Sequence, residues 1–357
     1  MRHALALGAR GLGQTWPNPA VGCVLVQGAR IVGRGWTQPG GRPHAEVVAL
    51  RQAGAAAAGA TAYVTLEPCA HHGKTPPCAE ALIASGVRRV VTALTDPDPR
   101  VAGRGHALLR AAGIEVTEGL LSTEAWRANL GFLTRVREGR PMVTLKLASS
   151  LDGRIATASG ESRWITGPEA RRVVHALRLS HDAVLVGAGT ARADDPLLTV
   201  RGLGAVHQPL RLIAARGLDL PADGQLAQSA ARVPLWLLHD PEVAGPRMTT
   251  WHELGARLIP VRSGADGQLD PRAMLAALGD AGVTRVFCEG GGALSASLLS
   301  AGLVDHLITF SAGLAIGAEG RPAIGALGVA ALADAPRFRL RGIRQVGTDV
   351  MQLWDRV

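Results

Sequence analysis

The chain has 357 residues, of which 47% are hydrophobic and 19% charged, enough to bury more than one core, so two domains are expected. No stretch approaches the roughly 20 uninterrupted apolar residues of a membrane span, and the opening Met1-Arg2-His3-Ala4-Leu5-Ala6-Leu7 is too short for a secretory signal, so a cytoplasmic protein without a membrane partner is expected. A net charge of +9 would suit anionic partners, but every cation except Lys74 and Lys146 is Arg in a chain crowded with Ala and Gly, which reads as coding bias; no run of five basic residues marks a nucleic-acid arm, and no nucleic-acid partner is expected.

In chain order, the periodicity predicts a helix over 2–11, strands over 21–27 and 30–35, a helix beginning near His44, and a strand over 62–66. A helix over 76–85, a strand over 89–94, a helix over 105–112, a strand over 114–118 and a helix over 123–137 follow. Glu138-Gly139-Arg140-Pro141 then stops the pattern, and the apolar run Met142-Val143-Thr144-Leu145-Lys146-Leu147 restarts it. We place the domain boundary there, giving domains over 1–140 and 141–357. The second half predicts buried strands over 183–187, 210–214, 234–238, 256–261, 283–288 and 306–310, with helices such as 168–179 and 271–281 between them. That alternation argues for a mostly parallel sheet with crossover helices, of a nucleotide-binding type.

The sharpest chemical signal is His44-Ala45-Glu46, followed by Pro68-Cys69 and, after eight intervening residues, Cys78. Four cysteines are too few and too scattered for a disulfide framework. One imidazole and two thiolates suit Zn²⁺ and leave a fourth tetrahedral position for water, the arrangement of a catalytic zinc site rather than a closed structural one. Glu46 stands where a carboxylate that does not bind the metal could carry a proton from that water to a ring nitrogen and to departing ammonia, which is hydrolytic deamination. Both cysteines lie near predicted helix starts, which favour thiolate. In the second half, Phe287-Cys288-Glu289-Gly290-Gly291-Gly292-Ala293-Leu294 runs from a strand through glycines toward a helix. With Val186-Gly187-Ala188-Gly189-Thr190 and the acidic Asp194-Asp195-Pro196, it marks turns where backbone amides could approach a phosphate. Neither glycine run fits G-x-G-x-x-G.

The spacer between the cysteines carries a resemblance. Thr65-Leu66-Glu67-Pro68-Cys69-Ala70-His71-His72-Gly73-Lys74-Thr75-Pro76-Pro77-Cys78 is similar to the deaminase pattern of the bifunctional riboflavin biosynthesis family. The match continues through Pro17-Asn18-Pro19-Ala20-Val21-Gly22, through Asp96-Pro97-Asp98-Pro99 with Val101-Ala102-Gly103-Arg104-Gly105, and through Leu145-Lys146-Leu147-Ala148-Ser149-Ser150-Leu151-Asp152-Gly153-Arg154. The spacer and the second-half motifs separate it from nucleic-acid deaminases. The resemblance implies an α/β protein: a cytidine-deaminase-like α/β/α domain followed by a dihydrofolate-reductase-like α/β domain. It implies zinc on His44, Cys69 and Cys78, Glu46 as proton shuttle, and a phosphorylated pyrimidine substrate met by Asn18 and by Lys74, with His71 and His72 beside it. Asn18 can also be read as a turn former, and Lys74 reads equally as a solvated loop charge.

For the reductase half the resemblance implies NADPH on Ala148, Trp164, Thr190, Asp194 and the stretch Gly291, Gly292, Ala293, Leu294, Ser295, Ala296 and Ser297. Substrate falls to Ser162, Arg178, Leu198, Arg201 and Glu289, and Lys146 is either a substrate-polarising group or a structural strand Lys. Two positions depart from the family: Trp16, where relatives often have His, and Arg216, where relatives tend to carry Ser near the 2′-phosphate of NADPH. Arg216 is expected to serve that phosphate directly. The family makes a homo-oligomer the expected assembly.

Overall fold

Short apolar runs alternating with amphipathic segments fold here into strands covered by helices. The computed structural model describes residues 1–72, 76–99, 101–204 and 206–357, which divide into two units, Met1–Gly139 and Arg140–Val357. The first unit runs α1 (Arg2–Gly8), β1 (Gly22–Gln27), β2 (Arg30–Trp36), α2 (Ala45–Ala53), β3 (Thr61–Val64), α3 (Cys78–Ala84), β4 (Arg89–Thr92), α4 (Arg104–Ala111), β5 (Glu115–Thr117) and α5 (Ser122–Glu138). Its sheet has the order β2-β1-β3-β4-β5, with β1 antiparallel to both neighbours and β3, β4 and β5 parallel. Leu25, Val64, Leu82, Val90 and Leu109 form its core.

Two glycines bring α2 onto β2 at backbone distance. A Cβ on Gly33 would lie 2.3 Å from the Ala49 carbonyl oxygen, and one on Gly35 2.1 Å from that of Ala45. The start of α2, where His44 is the N-cap residue, is therefore placed by what β2 lacks.

The second unit runs β6 (Met142–Ser150), β7 (Arg154–Ala156), α6 (Pro168–Leu179), β8 (Ala183–Gly187), α7 (Ala188–Asp194), β9 (Leu210–Ala214), α8 (Gln225–Ser229), β10 (Leu235–His239), α9 (Gly245–Glu253) and β11 (Arg257–Pro260). It continues with α10 (Pro271–Asp280), β12 (Arg285–Gly290), α11 (Gly292–Ser300), β13 (His306–Ala312), β14 (Arg321–Pro322), β15 (Phe338–Val346) and β16 (Asp349–Arg356). Nine strands pair in the order β11-β10-β9-β8-β12-β6-β13-β16-β15. The first seven are mutually parallel, and the central β8, β9 and β10 are almost wholly buried; β16 and β15 add an antiparallel hairpin. That hairpin departs from the expected strand list because Phe338-Arg339-Leu340-Arg341-Gly342-Ile343-Arg344 is largely exposed along its whole length and shows no apolar face to read. Arg140 belongs to this unit: its guanidinium spans the Asp305 carboxylate at 2.7 and 2.9 Å, and Asp305 also accepts the Val143 N–H.

Overpacking a backbone-tight contact typically costs about 1–3 kcal/mol. Gly35→Ala is accordingly expected to lower the unfolding midpoint of the first unit, read by circular dichroism melting. Gly28→Ala, where a Cβ meets nothing within 4 Å, tests the positive φ alone.

Candidate functional site

In the first unit, parallel pairing sets the ends of β3 and β4 side by side, and α2 and α3 begin at that edge. The turn after β3 is pinned by the Gly22 N–H donating to Thr65 Oγ1 at 3.0 Å, and it delivers Cys69. Cys78 opens α3. Cys69, expected near a helix start, sits instead in the loop, and the free amide of the α3 terminus reaches it: the Cys78 N–H donates to Cys69 Sγ at 3.2 Å. His44 Nδ1 lies 3.3 Å from Cys78 Sγ and 3.7 Å from Cys69 Sγ, and all three donor atoms fall within 4.8 Å of one another. Tetrahedral zinc with one nitrogen and two sulfur ligands requires N···S separations of about 3.6 Å. The donor set therefore fits zinc.

The two sulfurs titrate as a pair. The Cys78 thiol donating toward Cys69, with help from His44 and the backbone amide, holds Cys69 down to about 4, while Cys78 is pushed well above its ordinary value. Glu46 is 4% exposed, and burial pushes its carboxyl up to about 7 against the opposing pull of His44. Of the four cysteines, Cys23, Cys78 and Cys288 are buried and Cys69 is half-buried.

A cavity of about 90 Å³ opens on this cluster and is lined by His44, Glu46, Cys69, His71 and Asn18. The Asn18 amide donates to the Gly41 carbonyl at 3.3 Å, and Gly41 has no room for a side chain there. Lys74 lies outside the described residues. The structure also brings in Arg42, Asp96 and Asp98, which sequence reasoning left unassigned. Asp96 is 7% exposed, and burial pushes it up to about 6. Its signal was present in the paired carboxylates of Asp96-Pro97-Asp98-Pro99.

In the second unit a cleft of about 410 Å³ lies at the carboxyl ends of the parallel strands. It gathers ten of the candidate residues: Lys146 and Ala148 from β6, Ser162 and Trp164 from the loop after β7, Arg178 from α6, Thr190 and Asp194 from α7, Leu198, Arg201, and Glu289 from β12. Arg178 and Glu289, 111 residues apart, form a bidentate pair with one contact at 3.0 Å, and Arg178 also donates to the Thr199 carbonyl at 2.7 Å. The guanidinium fork thus faces Glu289, and Arg163, Arg171 and Arg201 are the other arginines at the cleft wall. Burial opposes ionisation of Glu289, yet Arg178 holds it below its ordinary value; burial lowers Lys146. Trp164 is 68% exposed, with the Arg171 guanidinium 4.6 Å from its ring centroid.

Gly291 sits against this cleft: a Cβ there would lie 2.7 Å from Thr190 Oγ1, which donates to the Gly290 carbonyl. Of the stretch that follows, Ala293 is exposed, Gly292, Leu294 and Ser297 are half-buried, and Ser295 and Ala296 are buried. Arg216 is exposed beyond the end of β9 and does not line the cleft. Among the described residues, no helix is long and apolar enough to cross a membrane.

Comparison with known proteins covers both units. Residues 141–352 match the RibD C-terminal domain family, and residues 1–94 match the cytidine and deoxycytidylate deaminase zinc-binding region. The chain is 45% identical over 362 residues to riboflavin biosynthesis protein RibD of Escherichia coli, covering 98% of this chain and 96% of that one. It is 42% identical to RibD of Bacillus amyloliquefaciens, covering 98% and 94%. Among solved structures it is similar to Acinetobacter baumannii RibD, with TM-score 0.89 and 40% identity over 100% of this chain and 97% of the other. A diaminohydroxyphosphoribosylaminopyrimidine deaminase/5-amino-6-(5-phosphoribosylamino)uracil reductase from Thermotoga maritima matches with TM-score 0.87 and 33% identity, over 100% and 97%. The expected cytidine-deaminase-like first domain and reductase second domain agree with these matches.

Purified chain is expected to carry about one zinc ion per protomer, measured by elemental analysis. Cys69→Ala and Cys78→Ala should each lose it on dialysis, whereas Cys23→Ala, outside the donor cluster, should retain it.

Proposed function

The chain belongs to the RibD family of riboflavin biosynthesis proteins, and on that footing we propose that its two units act in succession on one phosphorylated pyrimidine. Residues 1–140 deaminate 2,5-diamino-6-ribosylamino-4(3H)-pyrimidinone 5′-phosphate at C2, and residues 141–357 reduce the resulting 5-amino-6-ribosylaminouracil 5′-phosphate with NADPH to its ribityl form. The observation that carries the deaminase half is the His44, Cys69 and Cys78 donor set, two of whose members, His44 and Cys69, line the same small cavity as buried Glu46.

Zinc, when bound, supplies the Lewis acidity that activates water near neutral pH. The rest of the deamination falls to this chain's own groups. With its pKa near 7, Glu46 suits both directions of proton transfer. It takes a proton from the attacking water and returns it to the ring nitrogen; a second transfer goes to the amino group, which leaves as ammonia while C2 gains a carbonyl oxygen. Asn18 orients the ring, its amide fixed by Gly41. Lys74 is assigned to the substrate phosphate.

NADPH, when bound, supplies hydride to the reductase half. The proton that must accompany it is assigned to the Lys146 and Glu289 pair. Lys146 is the readier donor because burial disfavours its charge, and Glu289 is kept ionised beside it by Arg178. Arg201 takes the substrate phosphate, with Ser162 and Leu198 lining its approach. Ala148, Trp164, Thr190, Asp194 and the backbone of Gly291, Gly292, Ala293, Leu294, Ser295, Ala296 and Ser297 receive the dinucleotide, the last group at a helix start suited to a phosphate. A cytoplasmic homo-oligomer is the proposed working form.

A coupled assay on zinc-loaded chain should release ammonia first and consume NADPH second. Glu46→Ala should abolish ammonia release and yet oxidise NADPH at the parent rate when the deaminated pyrimidine is supplied. Arg216→Ala should weaken NADPH about tenfold, the worth of one charge-assisted hydrogen bond, and leave NADH unchanged, as read by a fluorescence titration; equal NADPH affinity in both chains would refute the 2′-phosphate role.

A further inference from the structure

Glu67 lies two residues before the zinc ligand Cys69 and is fully buried, its side chain 0% exposed, yet among the described residues no cation neutralises it closely. The nearest candidate, His106 Nδ1, stands 3.9 Å away and is 3.2 Å from Glu118 instead. What satisfies Glu67 is backbone from a segment 29 to 39 residues further on. Oε2 accepts the N–H groups of Asp96 at 3.1 Å and Gly103 at 3.0 Å. Oε1 accepts those of Gly105 at 2.9 Å and His106 at 3.2 Å. A carboxylate has about four lone-pair sites, and all four bonds here come from the two ends of one loop. Gly105 completes the contact, since a Cβ on it would lie 2.0 Å from the Pro68 carbonyl oxygen.

That loop supplies the cavity with Asp96, Asp98 and Val101, and the Asp98 N–H donates to Asp96 Oδ1 at 2.9 Å. One side chain therefore joins the exit of β3, which carries Cys69, to the exit of β4, which carries Asp96. Gln could not replace it, because its NH₂ would face two backbone donors in place of an acceptor.

We propose that Glu67 is a positioning residue of the deaminase pocket, acting through Asp96: its four backbone bonds hold Asp96 in the cavity that Glu46 and Cys69 line. The proposal rests on the deaminase reading above. Glu67 itself borders the cavity, but both its oxygens are taken up by backbone N–H groups, so the chemistry of the reaction stays with Glu46.

The test is a double-mutant cycle in the full-length, zinc-loaded chain, comparing Glu67→Gln, Asp96→Asn and the double variant by ammonia release. Zinc content and NADPH oxidation on deaminated pyrimidine serve as internal controls. Glu67→Gln should raise KM for the diaminopyrimidine about tenfold or more with a smaller effect on kcat and both controls unchanged, and adding it to Asp96→Asn should cost less than about twofold further. Multiplicative effects in the double variant would overturn the proposal. So would parent-like kinetics in Glu67→Gln, or loss of zinc in step with activity, which marks a merely structural residue. If Glu67→Gln does not fold, Glu67→Asp, which keeps the charge and shortens the reach, should raise KM in the same direction, and an unchanged KM would overturn the proposal. A parent chain that released no ammonia would sink the deaminase reading itself, and Glu67's role with it.

Discussion

Parallel strand pairing is the constraint on which the rest of this molecule depends. It sets the carboxyl ends of strands far apart in sequence side by side, with helix starts at the same edge. In the first unit the exits of β3 and β4 provide Cys69 and Asp96, and the starts of α2 and α3 provide His44 and Cys78. In the second, β12 lies between β6 and β8, so Glu289, Lys146 and the α7 residues that follow β8 meet in one cleft. Unpaired amides and positive helix ends face the same way. Both units are therefore suited to hold anions: thiolate in one, phosphate in the other.

Electrostatics then divides the labour. Burial raises Glu46 and Asp96 toward neutrality and lowers Lys146, while hydrogen bonding to Cys69 and ion pairing at Glu289 push those groups the other way. Glu46, suited to exchange protons, sits near neutral pH, and the groups suited to stay charged are bonded into that state. The Arg178 and Glu289 pair shows how much depends on geometry, since without its bidentate partner a carboxylate this buried would favour its neutral form.

Much of this was legible in the sequence because its signals are local. The strands over 183–187 and 210–214 and the helix over 168–179 fall where the apolar runs and the Gly-Pro start place them. The three metal donors were readable because ligand chemistry restricts residue type. Other features depend on partners the periodicity cannot reveal. Ala188-Gly189-Thr190 reads as a glycine turn, yet it opens α7, since the residues up to Asp194 continue the helix. Glu67 stood inside a recognised motif, but its bonds run to amides about thirty residues away. The hairpin of β15 and β16 is held by ladder bonds more than by burial, so its first strand leaves no hydrophobic period.

The unequal burial of the four cysteines gives the chain an intrinsic chemical reporter. Thiolates, not thiols, react with alkylating agents, and the one sulfur that is not fully buried is also the one most readily ionised. An alkylating reagent added to folded protein would thus find essentially a single target, Cys69, and the metal would shield it. The fraction of chain labelled is then a direct count of metal-free molecules, and labelling beyond one equivalent signals unfolding, since Cys23 and Cys288 become reachable only when the core of either unit opens.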